Sequence, residues 1–429
     1  MKNIQLNKHY LLPVIFLFFT AVSFAQKDTL TIEKCIDLAL KNNPQIKIAE
    51  SNYDLSSSNL KSARSVLLPQ VYFNSGWNRN GGYFFTGPSA REATFGNYSY
   101  GFQLQQQVFD FGKSISRVSG TSDLESASKE DLASAKQNLI LNAYIAYFSY
   151  LQAIRIKNVS TESLQQAQEH LRQAKSFYDV GKSPEFDVLK AKTDEANAQV
   201  NLLNSENNIL VSRLQLENIM NTKIDNEVPF KDNLEITKDT VEIQNALKSA
   251  WENRPEFIGA KLRVDANKSF VTSAWTANLP SINLTGGYNW KTFSLQQNFL
   301  DSWNLGVTLS LPIFQGFALD AGIDQSRANL KNAEATFDFI KQNINLDVQQ
   351  QYTNVKLAVA KIDATKSFLT QAEETLKIAD GRYKQGVGSP IEITDARVTL
   401  LNAQILNIQA LYDYQVSYVR LQKAIGILQ

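Results

Sequence analysis

The stretch Trp303–Ile313 reads WNLGVTLSLPI. Its apolar side chains, Trp303, Leu305, Val307, Leu309, Leu311 and Ile313, alternate with Asn304, Gly306, Thr308 and Ser310 until Pro312 interrupts the pattern. A period of two marks a strand with one apolar and one polar face. Just upstream, Ile282, Leu284, Tyr288 and Trp290 alternate with Ser281, Asn283, Thr285 and Asn289. Earlier in the chain, Tyr98, Tyr100, Phe102 and Leu104 alternate with Ser99, Gly101, Gln103 and Gln105. Val71, Phe73 and Trp77 alternate with Tyr72, Asn74 and Asn78, less regularly. Each run is about ten residues, the length of a tilted membrane strand, with aromatic residues near its ends. A half-buried sheet in water has the same period, so the pattern by itself leaves both readings open.

Working outward, Gly306–Phe314 repeats Gly101–Phe109 at an offset of 205 residues. Tyr178 and Gly181 fall on Tyr383 and Gly386, and Ala191 and Ala198 on Ala396 and Ala403, at the same offset. Asn43-Pro44 and Leu68-Pro69 match Arg254-Pro255 and Leu279-Pro280 at an offset of 211, with Ala39 on Ala250. The offset changes only between Pro69 and Gly101, where a loop has changed length. Matches along one diagonal identify a tandem duplication. The first repeat is residues 26–220, the irregular 221–240 segment links it, and the second repeat is 241–429.

Each repeat reads helix, strand, loop, strand, very long helix, turn, helix. Thr31 caps the first helical stretch, Pro44 breaks it and Pro69 ends it. Strands are placed at about 70–79 and 97–108, then at about 281–290 and 302–313. The long helices are placed at 112–178 and 317–383, and the shorter ones at 184–220 and 390–426. At 1.5 Å per residue a long helix is on the order of 100 Å, which requires a partner along its length. In the last helix Ala396, Ala403, Ala410, Ser417 and Ala424 recur every seven residues, beside a column of Ile393, Leu400, Asn407, Tyr414 and Leu421. Ala191, Ala198, Ser205 and Ser212 form the small column of the first copy. A seven-residue period marks supercoiled helices. Abundant Gln, Asn and Ser on the other faces suits the wall of a tube; an antiparallel bundle with Ala filler is the alternative.

The 43 Lys and Arg balance 42 Asp and Glu, which excludes the basic surplus of a nucleic-acid binder. One Cys excludes a disulfide within the chain, and with only two His a Cys/His zinc site is excluded as well. Residues 1–25 resemble an export signal: Lys2 and Lys8, an apolar run from Leu11 to Phe24, then Ser23 and Ala25 before a cut preceding Gln26. Cys35 is a lone buried thiol well past that cut, not an acylated first residue. Gln137–Ile154 carries no charge, but its counterpart contains Gln349, Gln350 and Gln351, so it reads as an amphipathic helix in water. An exported chain without a helical span can still enter a membrane through its strands. Four strands cannot close a barrel, and lipid forbids open edges, so membrane strands here demand an oligomer of eight, twelve or sixteen strands.

Several motifs resemble the TolC-like outer-membrane efflux family. Val108-Phe109-Asp110-Phe111-Gly112-Lys113 and Leu311-Pro312-Ile313-Phe314-Gln315-Gly316 resemble its strand-to-helix junction. The segment from Leu30 to Pro44 resembles its first helix, and the turns after Tyr178 and Tyr383 its periplasmic tips. The resemblance covers essentially all of the chain after the signal. It implies a mostly α protein with a membrane β-barrel portion: a homotrimer whose twelve-stranded barrel lies in the outer membrane of a Gram-negative cell and continues into a twelve-helix tube in the periplasm. It further implies the exit duct of a tripartite efflux pump or type I secretion system, joined by a periplasmic adaptor to an inner-membrane transporter, with no cofactor and no enzymatic activity. The rival reading is an exported coiled-coil structural or adhesion protein with a soluble sheet.

By the same resemblance, Asp187 holds the acidic position of the first tip, and Glu392 and Asp395 that of the second. Spaced three apart, Glu392 and Asp395 share a helix face, and a three-fold axis would repeat them into rings that favour cations. The plainer role is that of first-turn acids favoured by the helix dipole. Tyr383 matches the family's gate tyrosine. Gly388 stands where some members have an Arg that ties the coils together, so such a latch is absent and the closed state should open more easily. The adaptor-contact turns map to Val180, Gly181, Lys182 and Ser183 and to Gly386, Val387, Gly388 and Ser389. No phosphate loop, Gly-x-Ser-x-Gly or His-Glu-x-x-His is present. His170, between Glu169 and Arg172, reads as a residue of a solvated helix face.

Overall fold

A computed structural model describes residues 29–86, 89–225, 228–232, 234, 242–293, 295 and 298–428. The export signal and its cut lie outside the described residues, as does much of the 221–240 segment. Twelve elements follow in order: α1 (Ile32–Asn42), α2 (Pro44–Ser65), β1 (Gln70–Thr86), β2 (Ser89–Phe109), α3 (Lys113–Asp179), α4 (Glu185–Met220), α5 (Ile243–Asn253), α6 (Pro255–Thr276), β3 (Ser281–Thr292), β4 (Leu300–Ser310), α7 (Ala318–Lys384) and α8 (Pro390–Ala424). Helices α1 and α5 have 11 residues each, α2 and α6 have 22, and α3 and α7 have 67. Among the described residues no helix is long and apolar enough to cross a membrane.

The boundaries have local causes. The Thr31 hydroxyl accepts from Lys34 N and starts α1. Asn43 ends α1 in an extended conformation, its side chain accepts from Gln45 N, and Pro44 opens α2 at a position where a missing N–H costs nothing. At the junction into α3 the left-handed pair Phe111 and Gly112 turns the chain. The cap there is Asp110, whose carboxylate accepts from Ser114 N at 2.8 Å. Gly316 and Phe317 make the corresponding turn into α7.

The four strands form one antiparallel sheet in the order β1-β2-β3-β4. Paired positions lie on one face: Val71↔Leu104↔Gly286↔Leu305 on the apolar side, Asn74↔Gly101↔Asn289↔Ser302 on the polar side. The β1–β2 hairpin is longer than its period-two runs suggest, at 17 and 21 residues. Its ladder continues past Tyr98↔Thr292, where β3 ends, up to Thr86↔Ser89. Backbone pairing sustains those rungs after the alternation has lapsed. In contrast, β4 stops at Ser310 rather than 313, because Pro312 has no N–H to offer the ladder.

Buried small residues hold the helices together. On α3, Ala146, Ala153, Ser160, Ala167 and Ala174 are buried at seven-residue intervals. Ala191, Ala198, Ser205 and Ser212 on α4 and Ala396, Ala403 and Ala410 on α8 are buried too. Gly120 lies so close to α6 that a Cβ there would stand 2.7 Å from the Phe270 ring and 2.9 Å from the Ala266 carbonyl. The main apolar cluster joins Cys35, Tyr147, Leu151, Leu216 and Tyr412 from α1, α3, α4 and α8. The Cys35 thiol is fully buried and its pKa is pushed up to about 12, first by burial and then by Glu33. Tyr147 donates to the Lys231 carbonyl at 2.6 Å, and Asp232 accepts from Arg155 at 2.6 Å and from Tyr412 at 3.1 Å, docking the linker on the helices.

Candidate functional site

At the far end of the long helices, α3 turns into α4 and α7 into α8 through two turns of the same design. Gly181 N donates to Tyr178 O and Lys182 N to Phe177 O, at 2.9 and 2.8 Å. Gly386 N donates to Tyr383 O and Val387 N to Arg382 O, at 3.0 and 3.1 Å. This paired closure needs a left-handed residue, and Gly181 and Gly386 supply it at φ 74 and 76. The turns present Tyr178, Val180, Phe186, Val387 and Ile391 as exposed apolar side chains, flanked by the exposed Lys182 and the half-buried Ser183 and Ser389. Ser389 caps α8 by accepting from Ile391 N at 3.2 Å.

The two turns are packed against each other. Tyr383 is buried, with His170 edge-on at 5.2 Å and Phe177 at 5.8 Å. Burial raises the pKa of Tyr383, and the negative charge of Asp187 raises it further, so Asp187 and Tyr383 belong to one microenvironment. Asp187 is itself buried, and that burial raises its carboxyl. Glu392 and Asp395 are exposed. They are not equivalent, however. Glu392 accepts from Arg382 Nε at 3.4 Å, and Arg382 also donates to the Val387 carbonyl at 3.4 Å.

Four participants escape a reading of motifs. His170 is 3% exposed, which overturns its assignment to a solvated face. It lies three residues after Ala167 and four before Ala174, on the small-residue stripe of α3. That heptad, legible in the sequence, is the signal that could have placed it. Burial, then the positive charge of Arg397, pushes its pKa down to about 4; Asp194 and Asp380 pull the other way and Lys190 adds to the push. Thr394 on α8 donates to Asp194 on α4 at 2.9 Å, so Asp194, which also holds Lys190 at 2.6 Å, ties the two hairpins together. Ser163, Gln166, Asn197 and Arg397 surround that bond.

Gly388 is more than a missing Arg. A Cβ there would stand 2.8 Å from Tyr383 N and 3.0 Å from the Arg382 carbonyl carbon. The turn closes backbone on backbone, so this position takes no side chain. Gly388→Arg should therefore loosen the turn, at about 1–3 kcal/mol, instead of restoring a latch. Limited proteolysis reads this directly: the variant should be cut faster between α7 and α8 than the parent, and a variant cut more slowly would show that the arginine had found a latch partner.

Among the described residues no group of His, Cys, Asp and Glu is arranged to hold a metal ion. The family model "Outer membrane efflux protein" matches residues 35–222 and 246–427. Outer membrane protein TolC of Escherichia coli strain K12 is 24% identical over 402 residues, spanning 90% of this chain and 80% of that protein. Outer membrane efflux protein BepC of Brucella suis is 23% identical and spans 92% and 85%. The fold is similar to the Campylobacter jejuni CmeC outer membrane channel, with a TM-score of 0.83 and 21% identity over 92% of this chain and 85% of that one. It is also similar to the open state of the Neisseria gonorrhoeae MtrE channel, with a TM-score of 0.76 and 20% identity over 92% and 88%. The family model, matching both repeats and together most of the chain, makes it a member of the outer membrane efflux protein family, a family of outer-membrane channels and not of enzymes.

Proposed function

We propose that the protein is the outer-membrane exit duct of a tripartite efflux pump or a type I secretion system, built as a closed homotrimer. The observation that carries this is the asymmetry of contacts between the two repeats. Within the chain, β2 pairs with β3, α3 packs on α6, and α3 packs on α8. The counterparts by tandem duplication would be β4 with β1, α7 with α2, and α7 with α4, and none of these is an extensive contact inside the chain. Those same elements carry exposed apolar stripes: Ile48 and Leu55 on α2, Val200, Leu203, Leu210 and Leu214 on α4, and Leu346, Leu357 and Phe368 on α7. Spacings of seven and eleven residues keep each stripe on one face. A neighbouring copy supplies every counterpart, and three copies close twelve strands and leave no edge in lipid.

In this reading Val71, Phe73, Leu305, Val307 and Leu309 face lipid, and the helical tube enters the periplasm. The tips form the narrow end. Glu392 and Asp395 line it, with the buried Asp187 and Tyr383 packed behind them, and the turns at Val180–Ser183 and Gly386–Ser389 receive the periplasmic adaptor, which in turn engages an inner-membrane transporter. Since Arg382 partly neutralises Glu392, Asp395 carries most of the cation attraction. The purified protein should be a detergent-dependent homotrimer that conducts ions in planar bilayers. Multivalent cations should block from the periplasmic side, and Glu392→Gln with Asp395→Asn should weaken that block several-fold. A stable monomer that needs no detergent would sink the reading in favour of a soluble coiled-coil protein.

A further inference from the structure

Two contacts tie the first hairpin, α3 and α4, to the second, α7 and α8, near the tip. Thr394 on α8 donates to Asp194 on α4 at 2.9 Å, and the His170 ring of α3 lies edge-on to Tyr383 of α7 at 5.2 Å. The second tie is chemically incomplete. His170 Nδ1 and Tyr383 Oη are buried without a hydrogen-bond partner, in residues only 3% and 4% exposed. A neutral imidazole tolerates such a place because one ring nitrogen need not donate. An imidazolium donates from both nitrogens and brings a charge.

The groups around His170 are ill suited to receive that charge. The Arg397 guanidinium faces it from α8 and Lys190 from α4, both positive. Asp194 faces it from α4, but one carboxylate oxygen accepts from Lys190 at 2.6 Å and the other from Thr394. Asp380 on α7 holds Lys384 at 2.6 Å. Tyr383 on α7 is an uncharged hydroxyl whose pKa is raised, first by burial and then by Asp187 on α4. On α3 itself the charged neighbours Glu169 and Arg172 are one and two positions away, spacings at which side chains do not face each other. A buried cation without a partner is driven towards water. Since the ring lies between the hairpins, it meets water when they separate.

We propose that the tip is a proton-operated clasp, in which protonation of His170 drives the two hairpins apart. In the duct reading, on which only this consequence rests, parting widens the narrow end, so acid favours the open tube. Closed, the tip holds the ring at about 4; parted, the ring meets water and returns to its ordinary value near 6.5. The parted state therefore binds the proton more tightly, and falling pH shifts the equilibrium towards it. From these two values the ratio of parted to closed tips should rise about 20-fold between pH 7 and 5, with a ceiling of about 300-fold in strong acid. Asp187 works in the opposite sense, because burial raises its carboxyl and acid relieves it in the closed tip. The histidine's share is thus the difference from a variant that lacks it.

Spin labels on Lys182→Cys and Gln385→Cys, exposed positions in the two turns, read the separation of the hairpins in detergent-solubilised protein. Labelled chains are assembled with an excess of unlabelled ones, so that only distances within a chain are read; the buried Cys35 does not compete for label. Thr394→Val removes the tie to Asp194 and populates the parted state enough to be counted. In that background the ratio of long to short separations should rise about 20-fold from pH 7 to pH 5. His170→Gln, neutral throughout, should abolish the rise, and His170→Phe should do so while keeping an aromatic edge against Tyr383. Arg397→Gln, which removes the facing guanidinium, should leave a smaller rise. Equal rises with and without His170 would overturn the proposal, and so would separations in the Thr394→Val protein that do not respond to pH. The labels read distance and not current, so a protein that conducts nothing in bilayers would overturn the duct reading and leave the clasp standing.

Discussion

Val307→Arg should destabilise the assembled protein by about 2–4 kcal/mol per chain if the residue sits near the bilayer midplane. Thr308→Arg, one position along, should cost far less. Val307 is exposed on β4 and pairs with Leu284 on the apolar side. Thr308 pairs with Asn283 on the other side. An arginine at 307 must surrender its water to hydrocarbon or distort the lipid around it, whereas at 308 it would reach an aqueous bore. Urea or heat titrations of the detergent-solubilised protein measure the difference. Equal penalties at the two positions would mean that both faces meet the same solvent, as in a soluble sheet.

The second large effect belongs to His170. Its folded pKa is about 4 against an ordinary value near 6.5, so the native tip holds it neutral. The sign follows from proton binding. Above about pH 6.5 both states are deprotonated and the stabilisation is whole. As pH falls from about 6.5 towards 4, the unfolded chain takes up a proton that the native tip refuses, and stability is lost; below about 4 the loss is complete. At about 1.4 kcal/mol per pKa unit, and with the tip relaxing around a charged ring, the loss is about 1–3 kcal/mol per chain. His170→Phe keeps an aromatic edge against Tyr383 and should flatten the stability profile between pH 4 and 6.5 relative to the parent. Carboxylates contribute equally to both profiles, so their difference isolates the histidine. Parallel profiles would show that His170 titrates normally.

Much of this architecture is legible in the residues because its periods are strict. Trp303 to Leu309 alternate without a lapse, and Ala396, Ala403 and Ala410 keep seven-residue spacing; the structure has a strand at the first and a buried helix stripe at the second. What the residues withhold is where pairing outlasts pattern. The β1–β2 ladder runs on to Thr86↔Ser89 because backbone groups pair regardless of side chain. At the tip, Asp187 and Tyr383 are visible through motif position, and the structure puts them in one microenvironment. His170, Arg397, Asp194 and Thr394 lie on three different helices and are joined only by how α3, α4 and α8 pack. No local pattern contains that packing, although the heptad on α3 already assigns His170 to the inner side. Gly388 shows the converse: its type is evident from sequence, but the reason, a backbone against its Cα, is three-dimensional.

The order of the strands bears on how the molecule is made. Helices α3 and α4 meet through a turn of a few residues, as do α7 and α8, so these hairpins form from near neighbours and should appear early. The β2–β3 ladder joins Gln103 to Gly287 across the whole intervening hairpin, a closure whose entropic toll delays it. The last rungs, between the outer edges of β1 and β4, have no intramolecular route at all. In the proposed trimer, completing the sheet is a collision between chains, with a rate that rises with their concentration. Until it happens each chain displays two unprotected strand edges, templates for cross-β association. In the proposed assembly those edges need protection before they meet, and overproduction should fail first through aggregation of the strand section while the helical hairpins remain intact.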